Sequence, residues 1–128
     1  MILDSSVLLE IALDAPQREE LIRRIHGAEF AGIGTPTLAE TGVVLNGRLG
    51  DAGSGVLERI LTDLGIEEIA FGDVHWREAV TAFSRFGKGR HPARLNFGDC
   101  LTYATASLSG EPLLFVGDDF ALTDLDCA

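Results

Sequence analysis

Apolar and polar positions divide the chain into short apolar runs separated by longer amphipathic ones. Met1-Ile2-Leu3 predicts a short strand that stops at Asp4-Ser5-Ser6. Residues 16–26 keep a helical period, with Leu21, Ile22 and Ile25 on one face and Arg18, Arg23 and Arg24 off it. Phe30 to Gly34 predicts a second strand. Thr35 before Pro36 reads as an N-cap followed by proline at the first helical position, so a helix is expected over 36–48. The glycine-rich run 50–55 predicts a turn, and the helical period resumes from Val56 to Leu64. Ile66 to Phe71 predicts a third strand, and Asp73 a helix cap leading through Phe86. A basic loop punctuated by glycines runs from Gly87 to Leu95. Asn96 then caps a helix to about Ser109, and Leu113 to Val116 forms a last, continuously apolar strand. Strands that alternate with helices imply a parallel sheet covered on both faces. The fold class is α/β.

With 128 residues the chain is expected to form one domain over 1–128, large enough to fold without staples. Ten Lys and Arg against twenty Asp and Glu give a formal charge of −10, which argues against a general polyanion binder. Two cysteines make no disulfide framework, so a reducing, cytoplasmic setting is expected. No apolar run approaches the roughly 18 residues of a spanning helix, and Met1 does not lead into a basic leader region. Membrane, secreted, collagenous and disordered classes are excluded on this reading.

Function in open parallel sheets sits beyond the carboxyl ends of the strands. Asp4 follows the first strand directly, and Asp118-Asp119 follow the last. Each also has a purely structural reading, as a helix cap or as turn residues. Glu40 shares a helix face with Val43 and Val44, and that face is expected to be buried. A carboxylate there loses hydration unless a cation or several donors compensate. The alternative is an exposed Glu40, with the helix phase displaced by one residue. Asp99 falls on the third position after the cap Asn96, where an acid also completes a capping pattern. Carboxylates gathered in one crevice repel one another, and a hard divalent cation is the usual remedy. With no Cys/His cluster, Mg²⁺, with Mn²⁺ as substitute, suits an all-oxygen site better than Zn²⁺. Such a site suits in-line displacement at phosphorus.

Residues 85–94 hold four of the ten basic residues, Arg85, Lys88, Arg90 and Arg94, together with His91. No acid occurs between Ala79 and Gly98. A local excess of cations beside Asp99 would deliver phosphates to the acidic crevice. The alternative is a loop whose charges only keep it soluble. It is not a phosphate-binding P-loop, because Gly89 stands where Ser or Thr is required after Gly87-Lys88.

Four blocks of sequence carry a family resemblance. They are Met-Ile-Leu-Asp4-Ser-Ser6, Thr-Leu-Ala-Glu40-Thr, Gly87-Lys-Gly-Arg-His91 leading into Leu-Asn96-Phe-Gly-Asp99-Cys, and Leu-Leu-Phe-Val-Gly-Asp118-Asp119-Phe120. Together they resemble the PIN-domain family and, more narrowly, the VapC toxins of VapBC toxin–antitoxin pairs. The resemblance implies a three-layer α/β/α fold with a central parallel sheet of four or five strands. It implies metal-dependent cleavage of RNA to 5′-phosphate and 3′-hydroxyl ends, neutralisation by a VapB-like antitoxin, and a homodimer. By position, Asp4, Glu40, Asp99 and Asp119 match the family's acids, with Asp118 as the alternative or additional fourth. Ser6 matches the small hydroxyl residue that follows the first acid by two, and Asn96 an orienting asparagine. Arg85, Lys88, Arg90, His91 and Arg94 are expected to hold RNA. An apolar groove for the antitoxin is expected around Leu8, Leu9 and Ile11. The chain stops eight residues after Phe120, so a full closing strand is not expected.

Two other functions compete. An aspartyl phosphatase would need a second aspartate where Ser6 stands, and a receiver domain would need a late lysine, whereas the only lysine is Lys88. A non-catalytic PIN-like binding module need not keep acids at all of the family's positions.

Overall fold

The computed structural model describes residues 1–128. The elements are β1 (Ile2–Leu3), α1 (Ser5–Ala12), α2 (Arg18–His26), β2 (Gly32–Gly34), α3 (Thr35–Leu49) and α4 (Ala52–Leu64). They continue with β3 (Glu67–Ile69), α5 (Asp73–Phe86), α6 (Phe97–Ser109) and β4 (Leu113–Leu114). The four strands form one sheet in the order β3-β2-β1-β4, and every pairing is parallel. Beyond β4 the chain adds a single bridge, Leu113 to Cys127, rather than a fifth strand.

Side chains alternate across the short strands and divide the core in two. Leu3, Ile33 and Leu114 face a cluster that includes Leu8, Leu21, Leu45 and Leu57 from α1 to α4. Ile2 and Leu113 face the other cluster, built from Ala82, Phe86 and Tyr103 of α5 and α6 with Phe120. The result is three layers with the sheet in the middle.

Three sequence expectations need correction. First, α4 begins at Ala52 rather than Val56, so the glycine-rich run is partly helical. The reason is packing against α3: a Cβ at Gly53 would stand 2.7 Å from the carbonyl carbon of Leu45. Glycine here allows two helices to approach, and does not mark a turn. Second, the cap residues of α3 and α5 are Gly34 and Gly72, one place before the expected Thr35 and Asp73. Third, the buried face of α3 is Thr37, Leu38, Thr41 and Leu45, whereas Val43 is 73% exposed. Leu38 and Leu45 of this stripe pack into the apolar core, while Thr37 meets the Thr102 hydroxyl of α6 and Thr41 bonds the Thr37 carbonyl.

Candidate active site

Asp4 lies at the carboxyl end of β1 and is 7% exposed. Its Oδ2 accepts the Ser6 backbone N–H (3.1 Å), which caps α1. Its Oδ1 accepts the Thr102 hydroxyl (3.0 Å) from α6. The cap and site readings of Asp4 are therefore compatible. Ser6 turns its own Oγ the other way and accepts the Val116 N–H (3.0 Å), tying the start of α1 to the chain leaving β4. That contact anchors the segment that carries Asp118 and Asp119.

Asp99 stands in the first turn of α6. Asn96 caps the helix reciprocally: its Oδ1 accepts the Asp99 N–H (2.9 Å), and Asp99 Oδ2 accepts the Asn96 N–H (3.0 Å). Partial burial pushes the Asp99 carboxyl up to about 6, against the lowering effect of the Asn96 N–H. The negative charges of Asp119, Asp4 and Glu40 add to the rise. All three acids therefore act on Asp99 through space. Asp118 and Asp119 line one cavity together with Lys88, Arg94 and Asn96.

Glu40 reaches the site for a reason the hydrophobic pattern does not contain. Its face of α3 is exposed, not buried, and its carboxylate extends to the start of α6, where its Oε2 abuts Gly98. No Lys or Arg pairs with Asp4, Glu40, Asp99, Asp118 or Asp119. Four acids with mutual repulsion and no basic partner present hard oxygen donors only. That donor set fits a divalent cation of the Mg²⁺ class. As the side chains stand, no three of them surround one ion-sized point.

The basic residues divide between those that line open cavities and those held by internal contacts. Lys88, Arg90, His91 and Arg94 line an open cavity of about 520 Å³ that no carboxylate enters. Lys88 and Arg94 also line the adjoining 440 Å³ cavity that holds Asp118 and Asp119, so cations and acids share a wall. His91 is occupied within the loop: its Nδ1 accepts the Ala93 N–H (3.0 Å), and its ring packs edge-on against Phe86 (5.1 Å). Arg85 departs from the expected set. Its guanidinium donates to Asp124 (2.8 Å) and to the Tyr103 hydroxyl (3.4 Å), which ties the C-terminal segment to α5. The same clamp holds Asp124 below the ordinary carboxylate range, through the Tyr103 hydroxyl first and Arg85 second.

The family model for the PIN domain matches residues 1–125. Ribonuclease VapC36 of Mycobacterium tuberculosis is 40% identical over 127 residues, covering 98% of this chain and 91% of that protein. The chain is a PIN-domain protein of the VapC ribonuclease family. Ribonuclease VapC of Mycolicibacterium smegmatis is 38% identical over 125 residues, covering 98% of this VapC-family chain and 97% of that one. Among solved structures, VapC20 of Mycobacterium tuberculosis, a Sarcin-Ricin loop cleaving toxin, has a TM-score of 0.78 at 16% identity, with 97% and 95% of the two chains covered. VapBC2 of Rickettsia felis, bound to a promoter DNA fragment, has a TM-score of 0.79 at 13% identity, with 99% and 96% covered. At those identities the likeness is one of fold. Membership of the VapC family sets aside the phosphatase and receiver readings.

Of the residues around which an antitoxin groove is expected, Ile11 borders an open cavity of about 730 Å³ with Ala12, Val56 and Ile60, and Leu9 is half-buried. Leu8 is fully buried and Ile11 nearly so, both inside the core cluster of α1 to α4. Three residues that the sequence reading did not single out also lie beside the candidate acids: Thr37, Thr102 and Gly98. Threonine at successive buried helix positions was the available signal. A polar stripe inside an amphipathic helix has to be meeting a polar partner.

Proposed function

We propose that this VapC-family ribonuclease is the toxin of a toxin–antitoxin pair and hydrolyses RNA phosphodiester bonds at a Mg²⁺ site, with Mn²⁺ as substitute. Asp4, Asp99 and Asp119 hold the cation, Asp118 stands beside them, and Glu40 orients the attacking water. The observation that carries this reading is the gathering of Asp4, Glu40 and Asp99 around the start of α6 without a Lys or Arg partner, which together with burial pushes the Asp99 carboxyl up to about 6. A divalent cation, when bound, acidifies a water and offsets charge building on the phosphate. The chain's own residues do the rest. Ser6 and Thr102 fix the Asp4 carboxylate, and Asn96 fixes Asp99. Lys88, Arg90 and Arg94 hold RNA phosphates, while His91 shapes the loop that presents them.

A VapB-like antitoxin is the proposed inhibitor, placing a basic side chain into the acid cluster through charge-assisted hydrogen bonds. A second copy of the chain is proposed to cover the groove between α5 and α6. That groove, about 500 Å³, is lined by Phe71, Trp76, Val80, Phe83, Phe97 and Leu101 among others, with no charged side chain. A chain of net charge −10 meets itself most readily where no carboxylates oppose one another, and Phe97, 79% exposed, supplies a projecting ring beside the groove. Val80→Glu should shift the protein to monomer in sedimentation. No helix is long and apolar enough to cross a membrane, and the cytoplasm is the proposed compartment.

The test is incubation of antitoxin-free protein with total RNA in Mg²⁺, in Mn²⁺ and in EDTA. Cleavage with either metal, lost in EDTA and in Asp4→Asn, is the expected result. Cleavage that persists in EDTA overturns the metal reading.

A further inference from the structure

Asp4 is a buried carboxylate among the candidate site acids, and its hydrogen-bond donors, the Ser6 N–H and the Thr102 hydroxyl, are both neutral. A buried charge normally needs a cation or several donors. A Lys or Arg beside Asp4 would compensate it, but would also oppose a divalent cation at the same acid. Neutral donors avoid that conflict, because each occupies a lone pair without cancelling the charge.

One of these donors belongs to a chain of hydroxyls. Thr102 Oγ1 donates to Asp4 Oδ1 (3.0 Å), which uses its only proton. Thr37 Oγ1 lies 3.2 Å from Thr102 Oγ1, so the proton in that contact comes from Thr37. Thr41 Oγ1 in turn donates to the Thr37 carbonyl (2.8 Å). All three threonines are 3% exposed or less. The carboxylate sets the direction of the Thr102 and Thr37 protons, whereas Thr41 is directed by a backbone carbonyl of its own helix.

The positions of the two partners matter as much as their chemistry. Thr37 lies one helical turn before Glu40 on α3, and Thr102 one turn after Asp99 on α6. The relay therefore ties together, beneath the site, the three elements that present Asp4, Glu40 and Asp99.

We propose that Thr102, supported by Thr37, is a positioning residue that fixes the Asp4 carboxylate for the divalent cation and registers α3 and α6 against it. This rests on the metal-site reading above. Removing partners that orient a metal-binding side chain typically costs about 10- to 100-fold in affinity.

The experiment compares Thr102→Ser with Thr102→Ala by calorimetric titration of Mn²⁺ into EDTA-stripped protein, with thermal melts of each metal-free variant. Both variants lose the same methyl group and differ only in the hydroxyl. The expected result is near-wild-type Mn²⁺ affinity in Thr102→Ser and a loss of about tenfold or more in Thr102→Ala. RNA cleavage should follow affinity, with kcat at limiting metal falling and KM for RNA held. Thr37→Val, which does not touch Asp4, should give a smaller loss in the same direction, and serves if Thr102→Ala does not fold. Equal Mn²⁺ affinity in the Ser and Ala variants, or in Thr37→Val and wild type, overturns the relay while leaving the metal site standing. Wild type that binds no Mn²⁺ overturns both.

Discussion

The carboxylate of Glu40 lies directly against Gly98, where any side chain would collide with its Oε2. Glu40 comes from the exposed face of α3 and Gly98 from the first turn of α6, and their contact brings the second acid beside Asp99. The N-terminus of α6 offers partial positive charge to both carboxylates.

Gly98→Ala should therefore separate stability from activity. Alanine is favoured over glycine in a helix by about 1 kcal/mol, and the displaced atom is the end of a flexible side chain. The melting temperature is expected to hold or rise, while RNA cleavage falls by up to about a hundredfold as Glu40 is pushed aside. Melts and single-turnover cleavage on one preparation check this. Full activity would remove Glu40 from the site.

Asp4→Asn should keep the fold and lose cleavage. Asparagine is as good an N-cap as aspartate and keeps an acceptor for Ser6 or Thr102. Asp4→Ala should cost about 1 kcal/mol more, since it also deletes the cap and strands the Thr102 hydroxyl. Denaturant unfolding of both variants, with an RNA cleavage assay, distinguishes them. Equal stability would mean that the cap contributes nothing.

Acidity at Asp99 gives a pH signature. Its folded value is raised to about 6 from 3.8, so between these limits the native state binds more protons than the unfolded chain. Its effect on the metal-free protein is a loss of stability as pH rises from about 4 to about 6, complete above that. Asp99→Asn removes this component while keeping the Asn96 cap. Melts of both proteins across that range should show wild type losing ground to the variant as pH rises. Protons also compete with metal there, so Mn²⁺ affinity should weaken as pH falls below about 6. Parallel pH curves for the two proteins would contradict the assignment.

The basic residues should separate by role. Lys88→Ala with Arg90→Ala is expected to weaken RNA binding and to reduce the salt slope by about 1.4, two single-strand phosphate contacts at about 0.7 each. Arg85→Ala should leave that slope unchanged and instead lower stability, because Arg85 is held by Asp124. Binding titrations at several salt concentrations decide between them. A slope change in Arg85→Ala would return that residue to the RNA surface.

Most local signals carried through to the structure, the glycine run 50–55 and the exact caps of α3 and α5 being the exceptions. The span of the helix from Asp73 to Phe86, the Asn96 cap of α6 and the alternation of strands with helices follow from periodicity and capping chemistry, which act within one or two turns. The placement of Asp4 and Asp99 at element ends follows from the same signals. What only the tertiary structure decided is which face of each helix meets which neighbour. Periodicity marks a stripe on α3 but cannot say that threonines are buried while Val43 faces solvent, because the choice depends on the polar groups of α6. The Thr102–Asp4 hydrogen bond joins residues 98 positions apart, and the Arg85–Asp124 pair removes a basic residue from the loop it borders. Local sequence names the partner of neither residue, since each contact exists only when the layers have packed.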